Sequence, residues 1–373
     1  HQNNKNIKYH VACQSENSDM ALPGEHFEYL GADCFVIKLP KIGSARVIAY
    51  DILAINAALK YCKKEEIKAP IFYILGNTAG GFIGHYANKI HKLGGKLFVN
   101  PDGLEWKRTK WAAPIRSYLK FAEKKMVRYA DLIISDNAGI KEYLTSEYGQ
   151  VESEVIAYGT EKLKSDLTAS ETLVKYKVND YYLIVGRFVP ENNYETLIRA
   201  FMKSSTKRDL VIITNHEGNA YFKELREKTQ FDKDARIKFV GTVYNQNELR
   251  YIREHAFAYL HGHEVGGTNP GLLEAMWSTA VTVVLGVNFN RTTAGDSVIY
   301  FDKENLLTTL SEVENLTPDE GQRLHEKAQA IIEEKYTWEH ICAQYEDLFA
   351  PKFTYESEPL RKMENLARGG DES

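Results

Sequence analysis

The residues with the greatest potential for chemistry lie in His261–Met276, whose sequence is HGHEVGGTNPGLLEAM. An apolar strand pattern precedes this segment and an apolar helical pattern ends it. The turn between them contains Gly266, Gly267, Thr268 and Asn269. Because glycines let backbone N–H groups approach a ligand, and a helix beginning near Pro270 adds its positive dipole end, the turn predicts a phosphate site. Glu274, further along the helix, can accept hydrogen bonds from sugar hydroxyls. The alternative is an ordinary strand-to-helix turn with a solvated Glu274.

A second strand end in the back half carries a cation. Val185–Asn193 reads VGRFVPENN. In this segment Gly186 permits a tight turn, and Arg187 offers a planar, forked donor that suits phosphate oxygens. Alone, this arginine would be interpreted as a surface residue. Together with the glycine turn in the same half of the chain, it predicts a diphosphate-binding site, and Asn192 is assigned to the same donor-binding set.

In the front half, carboxylates follow a predicted strand in Val99–Lys110, which reads VNPDGLEWKRTK. Ligands of open α/β sheets bind beyond the carboxyl ends of the strands, so Asp102 is the first candidate catalytic residue and Glu105 the second. The alternative is that Asp102 only stabilises a turn before Gly103. Other strand-end and loop residues are assigned to acceptor binding or a membrane-facing surface: Asn77, Asn100, Trp106, Lys107, Arg108 and Asp136. Taken singly, the strand-end amides and Asp136 are better explained as structural.

Charge is spread unevenly along the chain. The net charge is −4, which divides into +5 for residues 1–165 and −9 for residues 166–373. The segment Glu105–Ala130 alone carries +6, and aromatic residues interleave with its cations. This segment is either a solvated helix face, a surface that rests on anionic lipid, or a grip for a pyrophosphate. A nucleic-acid partner is not expected, because the chain as a whole is slightly acidic.

The elements that must position these residues follow from alternating apolar runs and amphipathic stretches, the pattern of parallel α/β sheets. Predicted strands lie at 9–13, 34–39, 71–75, 96–99, 132–135, 154–157, 181–185, 209–214, 237–240, 256–260 and 281–285. The fold class predicted is α/β, with two Rossmann-like domains in tandem and a linker near residue 165. The expected domains are 1–165 and 166–345, followed by a helix or tail over 346–373 that returns to the first domain.

Several protein classes are disfavoured. Cysteines occur only at 13, 34, 62 and 342, without a CxxC pair, so neither a zinc site nor a disulfide framework is predicted and a reducing compartment is favoured. No apolar run reaches about 18 residues and the N-terminus is polar, so neither a membrane span nor a secretion signal is expected. His261 and His263 lack a third ligand nearby, so no metal site is predicted. Motifs of zinc peptidases, serine hydrolases, P-loop proteins and dinucleotide-binding enzymes are absent from the sequence.

The motifs of the back half resemble those of a known family. GRFVPENN at 186–193 resembles the GRxxxEK element, and GGTNPGLLE at 266–274 the E-x7-E element, of family four retaining glycosyltransferases, which have the GT-B fold. Glu274 and Arg187 carry over, whereas Gly266 replaces the first glutamate and Asn192 the lysine. These departures, with NPDGLEWKRTKW at 100–111 and VGGTNPGLLEAM at 265–276, resemble bacterial rhamnosyltransferases of the streptococcal type, which begin rhamnose-polysaccharide synthesis.

The resemblance implies an activity and its partners. The donor would be dTDP-β-L-rhamnose and the acceptor a GlcNAc-diphosphate lipid, joined in a β-1,4 linkage with retention and without a metal or other cofactor. Arg187 and the amides of Gly267, Thr268 and Asn269 would stabilise the diphosphate, and Glu274 would hold the ribose. Asp102 would orient the acceptor hydroxyl. The protein would be cytoplasmic, peripherally bound to the inner face of the plasma membrane. In these relatives a leading strand and a glycine-rich loop precede the position of His1.

Three alternatives remain open from the sequence. The chain could transfer a sugar from another nucleotide, act as a nucleotide-sugar epimerase of the same fold, or bind sugar nucleotides without catalysis. Base and sugar selectivity depend on the shape of the pocket, and only the resemblance points to dTDP-rhamnose.

Overall fold

The structure is a computed structural model that describes residues 7–14, 22–40, 43, 46–101, 103–108 and 111–350. Within these ranges the strands are β1 (His10–Gln14), β2 (His26–Tyr29), β3 (Ala32–Ile37), β4 (Ile71–Leu75), β5 (Lys96–Asn100), β6 (Leu132–Ser135), β7 (Ser153–Val155), β8 (Tyr181–Val185), β9 (Asp209–Ile213), β10 (Ile237–Gly241), β11 (Ala258–His261), β12 (Thr282–Leu285) and β13 (Ile299–Phe301). The helices are α1 (Arg46–Lys64), α2 (Ile83–His91), α3 (Ala113–Tyr129), α4 (Ala138–Tyr148), α5 (Glu171–Tyr176), α6 (Tyr194–Lys203), α7 (Ala220–Thr229), α8 (Gln246–Glu254), α9 (Pro270–Ser278), α10 (Asn288–Ala294), α11 (Leu306–Glu314), α12 (Pro318–Lys335) and α13 (Trp338–Phe349).

The back half is organised by a six-stranded parallel sheet in the order β10-β9-β8-β11-β12-β13. Its strands are almost continuous apolar runs, because a parallel sheet is covered on both faces. Leu197 of α6 and Leu310 of α11 pack against one face, whereas Ile252 of α8 and Ala275 of α9 pack against the other. The chain order reverses between β8 and β11. Such a switch point leaves a crevice beyond the carboxyl ends of the two strands.

The front half contains a four-stranded parallel sheet in the order β4-β5-β6-β7. Its core joins the sheet to four helices through Leu59 of α1, Ile83 of α2, Met126 of α3 and Leu144 of α4. Helix α3 lies close to the turn Thr78–Gly81. A Cβ added at Gly80 would fall within 2.6 Å of the backbone of Ala122. Because β4, β5 and β6 are parallel, the loops that follow their carboxyl ends lie along one edge of the sheet.

The first three strands form a separate sheet in the order β1-β3-β2. Strands β1 and β3 pair in parallel, as their apolar sequences predict, but β2 pairs antiparallel to β3. This antiparallel edge strand adds to the parallel strands that the sequence predicts. Strand β2 reads HFEY, and most of it is exposed, so its sequence lacks the apolar run that marks a buried strand.

The last described helix returns to the first half. Phe349 of α13 stacks on Phe98 of β5, with ring centroids 6.2 Å apart, and the hydroxyl of Tyr345 lies 3.0 Å from that of Tyr73. This helix begins at Trp338, upstream of the boundary at 346 expected from the sequence. The tail beyond residue 350 lies outside the described residues. Among the helices described here, none is both long and apolar enough to cross a bilayer.

Candidate functional site

A cavity of about 330 Å³ lies at the switch point of the back-half sheet. Its walls come from the ends of β8 and β11 and from the first turns of α9. The polar side chains that line it are Arg187, Asn192, Arg253, His261, His263, Asn269 and Glu274. Four of the residues predicted to bind a donor are thus brought to one cavity: Arg187, Asn192, Asn269 and Glu274.

Arg187 is the exposed cation of this cavity. It lies two residues beyond the end of β8, and no ion pair engages its guanidinium among the residues that the structure describes. The side chain of Asn192 fixes the turn around it. The Asn192 amide donates to the backbone oxygen of Arg187 at 2.7 Å, and its Oδ1 accepts from Nδ1 of His263 at 2.8 Å. Asn192 therefore positions Arg187 and His263, and Arg187 is the group available to bind a phosphate.

Helix α9 begins at the cavity, but its first backbone N–H group already donates to the side chain that caps the helix. The Asn269 side chain caps the helix by accepting from the Gly271 N–H at 2.9 Å, and Pro270 has no N–H to offer. The positive end of the helix dipole still faces the cavity. The helix start therefore contributes more through its field than through free N–H donors.

Glu274 lines the cavity and is paired with a cation that the sequence did not single out. Arg253, at the end of α8, is only 3% exposed and places Nη2 2.5 Å from Oε2 of Glu274. The Glu274 side chain is 40% exposed. The carboxylate predicted to hold a ribose is consequently anchored on its buried side by a guanidinium.

His261 and His263 are both enclosed by the protein. Burial holds the pKa of His261 well below its ordinary value, and no described residue bonds its buried Nε2. Burial and the positive charges of Arg187 and Arg108 lower the pKa of His263 to about 4. Both imidazoles are therefore neutral at physiological pH. Arg108 belongs to the front half, so its charge acts on His263 from across the contact between the halves.

The glycine turn does not form the open anion cradle that its sequence predicts. A Cβ at Gly267 would lie 1.9 Å from Oδ1 of Asp136, and one at Gly103 would lie 3.1 Å from the Gly267 nitrogen. The hydroxyl of Thr268 donates to the backbone oxygen of Asp136. Gly266, Gly267 and Thr268 thus pack against the front half beside the cavity, whereas Asn269 lines it.

Asn137 connects the two halves next to this contact. Its Oδ1 caps α4 by accepting from the Gly139 N–H at 2.8 Å. Its amide donates to Thr293 Oγ1 at 3.1 Å and to the Phe289 carbonyl oxygen at 3.2 Å, both in α10. One buried side chain in the SDN sequence after β6 therefore holds the start of α4 against the back half.

Comparisons with known proteins identify the fold. Residues 1–161 match a family model described as a domain of unknown function, DUF1972. A search of curated proteins found no match. Among solved structures, sucrose-phosphate synthase from Thermosynechococcus elongatus is similar, with a TM-score of 0.73 and 16% identity over 91% of this chain and 88% of that chain. HepE from Anabaena, in complex with UDP and glucose, gives a TM-score of 0.64 and 15% identity over 84% and 85% of the two chains.

A structure of trehalose-6-phosphate synthase, solved to study glycosyl transfer with retention, is also similar. Its TM-score is 0.67, with 11% identity over 92% of this chain and 94% of that chain. The chain has the GT-B fold. This confirms the predicted fold class. A GT-B fold has a groove between its two halves. The cavity lies on the back-half side of this groove, and the loops after β4, β5 and β6 lie on the front-half side.

The described loop and strand-end candidates Glu105, Asn77 and Asn100 of the front half are held in place by the protein. Asp102 lies outside the described residues. Glu105 pairs with Nε of Arg108 at 2.7 Å and accepts from Nε1 of Trp111 at 2.9 Å. Asn77 and Asn100 are buried, and the Asn77 amide donates to the Pro101 backbone oxygen at 2.6 Å. In this state Glu105 is thus part of an ion pair, and Asn77 braces the loop that contains the candidates.

The basic segment divides into internal and external cations. The ammonium of Lys120 lies 4.6 Å from the ring of Trp106 and 5.0 Å from that of Tyr143, beside the buried carboxylate of Glu123. Lys120 and Arg108 therefore serve internal contacts, and Lys110 lies outside the described residues. The α3 outer face is exposed and comprises Arg116, Phe121, Lys124 and Arg128. Lys107, in the preceding turn, is exposed as well.

A carboxyl group that sequence reasoning missed lies at the groove edge of the front half. Asp51 of α1 accepts a hydrogen bond from the hydroxyl of Thr78, in the turn after β4. The hydroxyl of Tyr118 donates to the Thr78 backbone oxygen at 2.7 Å. Burial raises the pKa of Asp51 to about 6. The signal was a lone acid among apolar residues in RVIAYDILAI, near the start of the helix.

Proposed function

We propose that this protein is a retaining glycosyltransferase that uses a nucleotide-sugar donor. The observation that carries the proposal is the joint placement of Arg187 and Glu274 on one cavity at the switch point of a GT-B sheet. A guanidinium suits a diphosphate and a carboxylate suits ribose hydroxyls. HepE was solved with UDP and glucose, which supports a nucleotide sugar as the ligand class for this fold.

We further propose dTDP-β-L-rhamnose as the donor and a GlcNAc-diphosphate lipid as the acceptor, joined in a β-1,4 linkage for cell-wall or capsular polysaccharide. The support for this finer assignment is the resemblance of GRFVPENN and VGGTNPGLLEAM to rhamnosyltransferase motifs. A UDP-sugar donor is the first alternative. A nucleotide-sugar epimerase and a non-catalytic binding protein are the other two.

The chemistry requires few side chains. The bond between the sugar C1 and the donor's β-phosphate oxygen breaks, a bond from C1 to the acceptor oxygen forms on the same face, and the acceptor proton passes to the departing phosphate. Arg187 and the α9 dipole stabilise the charge on the diphosphate as it departs. Glu274 fixes the nucleoside, so that the reacting atoms meet in the correct orientation. No side-chain nucleophile is needed, which agrees with the engagement of Glu105 in an ion pair, and a metal ion is not required.

A lipid-linked acceptor would need the enzyme to bind a membrane at its cytoplasmic face. The α3 outer face combines three cations with Phe121, which is 49% exposed, and Phe82, just before α2, is 53% exposed. Exposed aromatic groups beside cations suit an anionic lipid surface. We expect the triple variant Phe121→Ser, Lys124→Ser and Arg128→Ser to lose co-sedimentation with phosphatidylglycerol vesicles. A control replaces three exposed back-half lysines by serine: Lys203, Lys207 and Lys223.

The donor assignment is tested first by thermal shift with dTDP, UDP and GDP, and then by transfer to a synthetic GlcNAc-diphosphate lipid with and without EDTA. We expect dTDP to raise the melting temperature most, Glu274→Gln to abolish this effect, and the exposed control Glu312→Gln to retain it. Stabilisation by UDP alone would refute the dTDP donor, and stabilisation by none would refute a nucleotide-sugar function. Consumption of dTDP-rhamnose without acceptor would favour an epimerase. Binding without turnover would favour a non-catalytic role.

A further inference from the structure

The floor of the cavity contains a buried cation that the proposed mechanism does not use. The Arg253 side chain is 4% exposed, and its Nη2 meets Oε2 of Glu274. Its Nε is buried, and no described residue accepts from it. A buried guanidinium is costly unless its donors are satisfied, so a single carboxylate contact is an incomplete environment for it.

Arg253 is mounted rigidly relative to Glu274. The hydroxyl of Thr279, at the end of α9, donates to the Arg253 backbone oxygen at 2.9 Å and so ties the end of α8 to the end of α9. Tyr259 lines the same cavity, and its hydroxyl donates to the Val185 backbone oxygen at 2.9 Å. The backbone of Arg253 is therefore tied to α9, and the hydroxyl of Tyr259 is already bonded to β8.

Glu274 itself is a partly exposed, flexible side chain on α9. Without a partner, its carboxylate would occupy several rotamers, and a ligand would have to pay the entropy of selecting one. The contact with Arg253 engages Oε2, while Oε1 accepts no hydrogen bond from the residues that the structure describes. One oxygen is thus anchored and the other is presented to the cavity.

We propose that Arg253 is a positioning residue that holds Glu274 in the orientation that binds the ribose of a nucleoside diphosphate. This inference rests on the proposed function and adds a residue and a division of roles to it. The nucleoside is held by the Arg253–Glu274 pair, and the diphosphate by Arg187.

The two roles can be separated by comparing a nucleoside diphosphate with inorganic pyrophosphate, which lacks the ribose. The ligands are inorganic pyrophosphate and whichever of dTDP, UDP and GDP binds the wild type most tightly, and affinities are measured by isothermal titration calorimetry. We expect Arg253→Met to lower the affinity for the nucleotide by about tenfold or more and to change the affinity for pyrophosphate by less than about twofold. Arg250→Met is the matched control, because Arg250 lies on the same helix but pairs with Glu161 at the surface.

The double variant Arg253→Met, Glu274→Gln should bind the nucleotide no more weakly than Glu274→Gln, since the two residues act as a unit. Unchanged nucleotide affinity in Arg253→Met would overturn the inference. An equal loss for nucleotide and pyrophosphate would overturn it as well, because it would indicate a general structural role.

If Arg253→Met does not fold, Glu274→Asp supplies the test at a partly exposed position. It keeps the charge but withdraws the carboxylate from Arg253 by one methylene. We expect it to lose nucleotide affinity as Glu274→Gln does while it keeps pyrophosphate affinity. Wild-type affinity for the nucleotide in Glu274→Asp would overturn the inference. A wild type that binds none of the three nucleotides would instead refute the proposed function.

Discussion

Replacement of Asp51 by asparagine should stabilise the protein at neutral pH and not at acidic pH. The carboxyl group of Asp51 is enclosed at the start of α1, and burial raises its pKa from 3.8 to about 6. A raised pKa means that the folded state binds the proton more tightly than the unfolded chain does. The free energy of unfolding therefore falls as the pH rises from about 4 to about 6, and then stays level.

The size of the effect follows from this shift. One pKa unit corresponds to about 1.4 kcal/mol, so a shift of roughly two units costs the ionised folded protein about 3 kcal/mol. Asparagine has nearly the same shape, and its oxygen can still accept from the Thr78 hydroxyl. We therefore expect Asp51→Asn to raise the free energy of unfolding at pH 8 by up to about 3 kcal/mol and to change it little at pH 4.

Urea denaturation of both proteins at pH 4, 6 and 8 measures this difference. Asp296→Asn is the control, because Asp296 is fully exposed and pairs with Lys327 at the surface. A gain for Asp51→Asn that is the same at pH 4 and pH 8 would contradict the assignment of the effect to ionisation. No gain at pH 8 would show that Asp51 is not desolvated. A carboxylate that lowers stability is typical of functional sites, so the activity of the variant is of equal interest.

Three further perturbations have expected outcomes. Arg187→Ala should weaken the binding of inorganic pyrophosphate by about 10- to 100-fold, measured by calorimetry, because charge-assisted bonds to phosphate are worth roughly 1.5–3 kcal/mol. Asn137→Ala should lower the free energy of unfolding by about 2–4 kcal/mol in urea, since it loses a helix cap and bonds that join the halves. Gly267→Ala should widen the groove, because its Cβ would lie 1.9 Å from Asp136 Oδ1; a larger radius of gyration in X-ray scattering would show this, and an unchanged one would contradict it.

The strands that the sequence predicted well are short, continuous apolar runs in the parallel sheets. Ile71–Leu75, Leu132–Ser135 and Tyr181–Val185 agree with the structure at both ends. Parallel strands packed between helices are predominantly apolar, so their sequences are easy to recognise. His26–Tyr29 and Ile299–Phe301 were missed because the first is mostly exposed and the second has only three residues. Neither provides the apolar run on which such predictions depend.

The sequence predicted that Arg187 and Glu274 lie close together, but it did not predict that Arg253 of α8 joins them. Arg187 and Glu274 could be placed because turns after parallel strands converge on one edge. Arg253 was missed because α8 reads QNELRYIRE, which resembles a solvated face. A signal was nevertheless present. Leu249, Ile252 and Ala256 mark the apolar face of this segment, and Arg253 falls on it at the i+4 position from Leu249.

The contact at the glycine turn changes the electrostatic balance expected of the donor site. In the pattern that the sequence resembles, a lysine stands where this chain has Asn192, and backbone amides of the turn would share the charge of the diphosphate. Here Asn192 is engaged with His263, and Gly267 and Thr268 pack on Asp136. His263 adds no positive charge, because the lowered pKa keeps it neutral. Under the proposed function, one exposed guanidinium and one helix dipole would offset the charge of the leaving group, so Arg187 would bear a larger share of catalysis than it would beside a lysine.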